Sequence, residues 1–584
     1  MTVTPAVPHA GTWRGLHCFA HWRPEHTDRF LTTTLTPMVE GLRSAGRIED
    51  WFFIRYAEHG PHLRIRIRGA DPATTGDLRE RLAEAVRGAP YPVDDGVEER
   101  YRSAEGGART LRGHGEVCEV AYAPEPERYG GVAALPVAEE VFGYSSRIAA
   151  AAVACTPLPA QRLVAATDFV LATALALDLD ELDTARWLRR AVIGWRGYHD
   201  GARPGAITVR DAALDAVANQ AAAVLRRRDE IAASGGSGTR LRDRWGACVR
   251  AARARLETNK ANEPTGADAA DAAVGRGPWL GVWSAQLHML LNRMGVLPDE
   301  ERSLCWFIAS SLLAPEGGTD FFADHPGAAD RRYLEAGNSA PSRMRGQQPR
   351  SAPPGGKRSN PFGAAPVALP AGELPGVSLG AALARRTSAR GDLGGGTSAA
   401  DLGTALWSAY AGTAAPEVPD GPGAPGRSPR PYPSAGAKYV ARLRLVVREV
   451  AGLAPGVYEL EPATRSLLPV GPAPSIDELA AASLWFARDE VADPYVDVST
   501  LPALVGLYVE LGVLRARYGL RALRFAFLEA GHLAQNLALT AAAAGLSMGM
   551  VGGFYDDVAH EVFVLDGIDD VLAYLLPVGR VRSG

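Results

Sequence analysis

Three arginines occupy alternate positions of GPHLRIRIRG, residues 60–69. Successive side chains of a strand leave opposite faces, so Leu63, Ile65 and Ile67 share one face, and His62, Arg64, Arg66 and Arg68 share the other. Side chains two apart on a strand sit about 6.5 Å from each other. Guanidiniums so spaced repel unless water, carboxylates or a ligand anion screens them. The face is therefore either solvated or built to take an anion. Downstream, EPERYGG (125–131) places Glu125, Glu127 and Arg128 before a Gly-Gly turn, which lets backbone and side chains come close to a ligand. Further on, QLHMLLNRMG (286–295) reads as a helix ended by Gly295, with His288 and Asn292 four apart on one face. An imidazole exchanges protons near neutral pH, which makes His288 a candidate for proton transfer.

A second set of polar residues lies in the last two hundred positions. Arg385-Arg386-Thr387-Ser388-Ala389-Arg390 puts guanidiniums around a hydroxyl, a grouping that suits a phosphate or is simply a charged helix end. In RPYPSAGAKY (430–439), Pro433, Ser434 and Gly436 form a tight loop before a strand. RARYGLRALR (515–524), the helical EAGHLAQNLALTAAAAGL (529–546) and VGGFYDD (551–557) follow in order.

The elements that must position these residues are mixed. WRGLHCFAHW, DWFFIRYA and HLRIRIRG read as strands, followed by a helix near 75–87 and by helices at EEVFGYSSRIAAAAVAC, QRLVAATDFVLATALALD and AALDAVANQAAAVLRRRDEIAAS. Sheet followed by helices predicts α+β. The run 336–376, rich in Pro, Gly, Ser and Arg, reads as a linker. Domains are therefore expected at 1–335 and 377–584, with a long surface loop near 415–436 in the second. That second part is also expected to be α+β: a helix from about Ser398, strands at RLRLVVREV, GVYELEP and SLWFARDE, a helix over about 523–544 stopped by Gly545, and closing strands at EVFVLDG and VLAYLLPVG.

Composition narrows the class. The 584 residues are too many for one core. Hydrophobic residues at 47%, charged residues at 22% and a net charge of −4 describe a soluble globular chain and argue against a dedicated nucleic-acid binder. No run of about 18 apolar residues and no signal peptide is visible, so a cytoplasmic location and no membrane span are expected. Cys18, Cys118, Cys155, Cys248 and Cys305 show no CxxC spacing, which indicates neither a disulfide framework nor a thiolate zinc site. The early histidines, His9, His17, His21 and His26, do not add up to a metal site: His17 and His21 would share a face only on a helix, and their segment reads as a strand. Lys260, Lys357 and Lys438 are the only lysines among 62 basic residues.

DWFFIRYAEHGPHLRIRIRG, EPERYGGVAALPVAEEVFGYSSRI and SAQLHMLLNRMG, in this order over about 20–300, resemble the C-terminal elimination domain of lantibiotic dehydratases, which also occurs as a separate protein in thiopeptide pathways. The resemblance implies a reaction in which a serine or threonine of a precursor peptide, already esterified by glutamate, loses its α-proton and expels glutamate to leave dehydroalanine or dehydrobutyrine. It places the family's functional residues on Arg64, Arg66, Glu125, Arg128 and His288. Arg64 and Arg66 would hold the glutamyl group through paired hydrogen bonds. Arg128 would stabilise developing negative charge and His288 would move protons. Arg68 is expected outside the pocket.

PSAG with its following tyrosine, EAGHLAQNLAL with AAGL, and the GGF stretch resemble the SagB-type, FMN-dependent azoline dehydrogenases of the nitroreductase superfamily over 377–584. That likeness implies FMN, with Arg386, Ser388 and Arg390 on its phosphate, Ser434, Gly436 and their neighbours on the ring or ribityl chain, and Gly552 and Gly553 near the isoalloxazine edge. It also implies a homodimer. Azoline oxidation removes a proton from the ring carbon as a hydride departs. The family's Lys-Tyr pair aligns with Arg517-Tyr518, a departure, because arginine stays protonated and is a poor base. Either Tyr518 accepts the proton beside a merely charged Arg517, or Lys438 of the flavin loop supplies the base; the first is the preferred expectation.

Together the halves resemble the bifunctional enzymes of lactazole-type thiopeptide pathways. The expected partners are a precursor peptide, a separate glutamyl-tRNA-dependent glutamylating enzyme and an azoline-forming cyclodehydratase, since neither activity has a visible motif here. Competing expectations for the first half are a pyridine-forming cycloaddition and a non-catalytic peptide-binding role. A general nitroreductase competes for the second.

Overall fold

The computed structural model describes residues 12–97, 111–195, 205–235, 238–258, 279–314, 322–323, 325, 327–337, 365–411, 430–487 and 495–582. Residues 338–364 of the expected linker and 415–429 of the expected loop lie outside the described residues. The chain forms two compact units, Met1–Leu188 with Val209–Ala314, and Arg189–Thr208 with Pro315–Gly584. Each mixes helix and sheet.

In the first unit, β1 (Trp13–Phe19), β2 (Asp50–Tyr56), β3 (His62–Arg68) and β4 (Val117–Ala121) make an antiparallel sheet in the order β2-β3-β1-β4. Between β1 and β2, α1 (Pro24–Phe30) runs through a π-helical segment, Leu31–Leu35, into α2 (Thr36–Ser44). After β3, α3 (Pro72–Arg87) begins on the Asp71 carboxylate, which accepts from the Thr74 N–H. As the alternation dictates, Leu63, Ile65 and Ile67 are buried with Leu16, Trp51 and Phe53, under Leu78, Leu82 and Val86 of α3. A helical layer follows β4: α4 (Leu135–Cys155), α5 (Pro159–Ala176), α6 (Glu181–Trp195), α7 (Gly205–Ala233), α8 (Leu241–Thr258), α9 (Leu280–Met294) and α10 (Pro298–Leu313).

Helix α9 is fastened to β2, an edge strand of the sheet. Asn292 Oδ1 accepts from the Arg55 N–H at 3.0 Å and its Nδ2 donates to the Arg55 carbonyl at 3.1 Å, so the open backbone of that edge is satisfied at Arg55. Arg293, fully buried between Phe52 and Phe142, donates to the Phe53 carbonyl and to Ser145 Oγ. Burial pushes its pKa down to about 9.

Asp28 of α1 joins three elements, meeting Arg55 of β2 and Arg162 of α5 at 2.6 Å each. Removing the charge shared by two enclosed guanidiniums leaves both underpaired, which costs about 3–5 kcal/mol. Asp28→Asn is therefore expected to lower the unfolding free energy of the first unit by that amount, read from denaturant titration by tryptophan fluorescence. A loss under about 1 kcal/mol would mean that water screens the knot.

Beyond its Arg189–Thr208 segment the second unit continues with α11 (Ala329–Ala336) and is built on a sheet ordered β12-β13-β11-β6-β7-β8-β5. Its elements in chain order are β5 (Val367–Ala368), α12 (Leu379–Arg385), α13 (Ala399–Tyr410), β6 (Ala441–Val447), β7 (Gly456–Glu461), β8 (Ser466–Gly471), α14 (Ile476–Ala481), β9 (Phe486–Ala487), β10 (Val496–Asp497), β11 (Ala503–Glu510), α15 (Leu511–Tyr518), α16 (Ala522–Ala543), β12 (Ser547–Met548), α17 (Asp556–Val562) and β13 (Asp570–Gly579). Strand β9 pairs with β10 alone. Ser398 caps α13 in a reciprocal box with Asp401, and Gly545, at φ +71°, ends α16. Leu533 and Leu537 of α16 and Leu402 and Leu406 of α13 fill one core with Leu443 and Leu507 of the sheet.

Two expected strands differ. EVFVLDG is the end of α17 and a turn, with Val564 at φ +60°. Asp556 and Asp557 favour a helix N-terminus there, and Val562, Phe563 and Leu565 then fill a second core rather than a pleat. Of SLWFARDE, Phe486–Ala487 is strand and 483–485 are not, and 488–490 lie outside the described residues.

Candidate functional site

The three arginines of β3 have three different environments. Arg64 Nη2 meets Glu58 at 2.8 Å, and its guanidinium lies 3.4 Å from the centroid of the Tyr56 ring. Arg68 pairs with Glu49 at 3.1 Å. Between them Arg66 is 7% exposed, and no described carboxylate pairs with it. Its Nη1 donates to the Ile65 carbonyl at 3.3 Å, its Nη2 lies 3.2 Å from His17 Nε2, and Tyr122 is 6.0 Å away. Burial, then Arg64, press its pKa down to about 10. An arginine held at such cost with unspent donors is what a carboxylate site requires. Gly15 on β1, paired with Arg66, makes the arrangement fit: a Cβ there would stand 2.8 Å from Arg66 Nη1.

The EPERYGG turn lies beside this face. Tyr122, whose pKa is driven up chiefly by burial and Glu139, feels both Arg66 and Tyr129. Tyr129 is buried against Phe142, 4.8 Å between ring centroids. Glu125 and Arg128 stay at the surface and meet each other at 3.4 Å. Gly130 and Gly131 take φ +88° and +93°, and a Cβ on Gly130 would come 2.7 Å from Trp279 at the start of α9. His288, further along α9, has Nδ1 2.7 Å from Glu301 Oε2 of α10. The structure thus gathers Arg66, Tyr122 and the turn, whereas no described hydrogen bond or ion pair joins His288 to Arg64 or Arg66.

In the second unit the PSAG loop is strained and clamped. Gly436, Ala437 and Tyr439 have φ of +59°, +51° and +50°, conformations that cost about 1–3 kcal/mol at a non-glycine residue and mark sites where structure serves function. Glu529 of α16, 1% exposed, accepts from Ser434 Oγ at 2.6 Å and from the Ala441 N–H at 2.9 Å, and Ser434 Oγ in turn accepts from the Tyr439 N–H. Ser434 therefore holds the loop's shape. Arg430 sits between the rings of Tyr410 and Tyr439, at 4.8 and 5.0 Å, and donates to Tyr432 Oη. Over the loop lies Tyr518, the last residue of α15, so close that a Cβ on Gly436 would stand 2.5 Å from its hydroxyl. Arg517 points to solvent and Lys438 is half-buried.

Burial raises the pKa of Glu529 despite its hydrogen bonds. A carboxyl with a higher pKa folded than unfolded supports the fold at low pH, and that support is lost as pH climbs through the folded value. The second unit is expected to lose stability as pH rises from the ordinary carboxylate range to that raised value, and Glu529→Gln to flatten the slope. Denaturant midpoints at stepped pH check this, and equal slopes in both proteins would contradict it.

The segment 386–390 runs beside β12: Ser388 bridges Met548 and the Ala389 N–H donates to the Met548 carbonyl. Arg386 is half-buried and Arg390 exposed, with no described carboxylate on either, which fits a phosphate group. Gly552 and Gly553 are exposed, and a Cβ on Gly553 would come 3.0 Å from Trp485 Nε1. Sequence reading did not single out His17 as a partner of Arg66, or Gly15, Tyr122 and Glu301, and it gave no role to Arg430 and Glu529, the first residues of two of the quoted motifs. Only strand register and helix packing bring them in. Among the described residues no group of three His, Cys, Asp or Glu could hold a metal, and no helix is long and apolar enough to cross a membrane.

Comparison with known proteins finds two families along the chain. The family described as lantibiotic biosynthesis dehydratase C-term matches residues 13–312, and the nitroreductase family matches 386–580. MJ1384 of Methanocaldococcus jannaschii, named as a nitroreductase, is 32% identical over 148 residues, 25% of this chain and 69% of that protein. Among solved structures, the pyridine synthase TbtD from thiomuracin biosynthesis is 19% identical, covering 51% of this chain and 97% of that one at a TM-score of 0.41. The tRNA dependent lantibiotic dehydratase MibB from Microbispora sp. 107891 is also 19% identical, covering 53% of this chain and 28% of that one at 0.30. Values this low carry no functional argument. The first family match spans just over half of the 584 residues and the nitroreductase relative is covered over more than two thirds of its length, so the chain belongs to the lantibiotic dehydratase C-terminal family through its first half and to the nitroreductase family through its second.

Proposed function

We propose that this chain is a bifunctional enzyme of thiopeptide maturation, with domains at about 1–335 and 377–584. The first eliminates glutamate from glutamylated serine or threonine of a precursor peptide. The second oxidises azolines to thiazoles or oxazoles with FMN. The observation that carries the first activity is Arg66, a buried guanidinium with no carboxylate partner among the described residues, on a face whose other arginines are paired. Arg66 binds a carboxylate of the glutamyl group, and Arg64 joins if it exchanges Glu58 for substrate. His288, whose Nδ1 lies 2.7 Å from Glu301 Oε2, moves the α-proton. Arg128, partly exposed beside Glu125, supplies positive charge where the leaving carboxylate develops.

In the second domain, Arg386, Ser388 and Arg390 would hold the FMN phosphate, and Gly436, Gly552 and Gly553 give the ring close approach. FMN, when bound, accepts the hydride. Tyr518 takes the azoline proton as its phenolate, its own phenol proton having first passed to solvent, while Arg517 contributes charge alone. A homodimer through this domain is supported by exposed apolar side chains on adjoining helices, Leu379 and Leu383 of α12 and Phe527 and Leu528 of α16. The glutamylating enzyme and the cyclodehydratase act as separate partners.

Incubation of the purified chain with a glutamylated precursor peptide tests the reading by mass spectrometry. Loss of glutamate with formation of a dehydroamino acid is expected. Macrocycle closure would point to cycloaddition, and an unchanged peptide to a binding domain. A yellow protein releasing FMN on denaturation is expected as well. NAD(P)H-driven turnover of nitroaromatics without azoline oxidation would favour a general nitroreductase.

A further inference from the structure

His17 stands beside Arg66 and takes no part in the elimination scheme above. In register it lies opposite Arg64, yet its ring leans diagonally to Arg66, placing Nε2 3.2 Å from Nη2. The ring stacks on His62, with centroids 4.9 Å apart, and His62 Nδ1 is itself 2.8 Å from the Gly60 carbonyl. A guanidinium offers only N–H donors, so the imidazole nitrogen facing it must present a lone pair. An imidazolium there would put two cations in contact. The surroundings favour the neutral form: partial burial, then Arg66, His62 and Arg64, hold the His17 pKa down to about 3. So weak a base has little drive to remove an α-proton, which leaves hydrogen-bond acceptance as its role.

We propose that His17 is a positioning residue for glutamate elimination: its Nε2 and the Ile65 carbonyl hold the Arg66 guanidinium over Gly15, leaving the remaining N–H donors for the substrate carboxylate. The proposal rests on the reading of the first domain as an eliminase. It gives β1 a share in the site, which the arginine strand alone does not suggest. A side chain in place of Gly15 would meet the Val120 carbonyl of β4 first and then Arg66 Nη1, so the β4 backbone and the guanidinium together exclude one.

Two substitutions separate positioning from packing. Gln can return an acceptor oxygen near the place of Nε2, whereas Leu fills space without one. His17→Leu is expected to lower kcat/KM on a glutamylated peptide about 10- to 100-fold, the range for losing a hydrogen bond to a charged group, with much of the loss in KM. His17→Gln should recover most of it. In an Arg66→Ala background His17→Leu should add nothing, because the group it positions is gone. Equal unfolding midpoints for the two His17 variants show that both fold. The proposal is overturned if His17→Leu matches the wild type, if Gln is as damaging as Leu, or if the His17 and Arg66 losses multiply. The ¹⁵N spectrum of histidine-labelled protein tests the contact without turnover: an unprotonated His17 Nε2 between pH 6 and 8, shifted by Arg66→Ala, is expected, and an unmoved signal also overturns the proposal. A wild-type chain that eliminates no glutamate but shows the shift would refute the eliminase reading and leave the contact standing.

Discussion

Arg66→Ala is expected to lower glutamate elimination about 10²- to 10³-fold, the range for removing one preorganised electrostatic contact, while raising the stability of the domain. Activity and stability move in opposite senses because this guanidinium is buried and has no described carboxylate partner. Burial and Arg64 disfavour its charged form, so deleting it relieves the folded state. Arg66→Lys keeps a charge but not the planar fork, and about 10²-fold loss is expected. Arg68→Ala breaks only the partly exposed pair with Glu49 and should alter the rate by less than about threefold. Steady-state rates and denaturant midpoints for the three variants provide the check. A variant at position 66 that loses stability together with activity would mark Arg66 as a packing residue.

Tyr518→Phe is expected to slow azoline oxidation about 10²- to 10⁴-fold, as loss of a positioned proton acceptor does, with the flavin absorbance of the protein unchanged. The hydroxyl is the group aimed at Gly436 of the strained loop, and the ring stays seated against Phe525, 5.1 Å between centroids, so little else should change. Arg517→Lys should leave the rate within about threefold, because an exposed side chain at the end of α15 contributes charge of either chemistry. Full rate in Tyr518→Phe together with a collapse in Lys438→Ala would transfer the base to Lys438. The rates are read with an azoline-bearing peptide.

Strand content and the arginine face were legible because alternation in HLRIRIR sets facing directly, and the EPERYGG turn and the α9 helix followed from Gly and helical spacing. Which arginine lacks a described carboxylate partner was not legible. Glu58 and Glu49 are near in sequence, but their pairing with Arg64 and Arg68, and not with Arg66, depends on how β2, β3 and the intervening turns place them. His17 became a neighbour only through the β1–β3 register, which local pattern does not specify. In the second domain the PSAG loop stood out, yet its anchor Glu529 lies about a hundred positions downstream on α16. EVFVLDG misled because an apolar run of that length serves a buried helix end as well as a strand.

The most direct measurement uses one peptide bearing both an azoline and a glutamylated serine, with product mass followed over time for the wild type, Arg66→Ala and Tyr518→Phe. The wild type should lose one glutamate and two hydrogens. Arg66→Ala should lose only the hydrogens, and Tyr518→Phe only the glutamate. If the wild type removes neither, or if either substitution stops both reactions in a protein that remains folded and yellow, the account of two separate sites in one chain is contradicted.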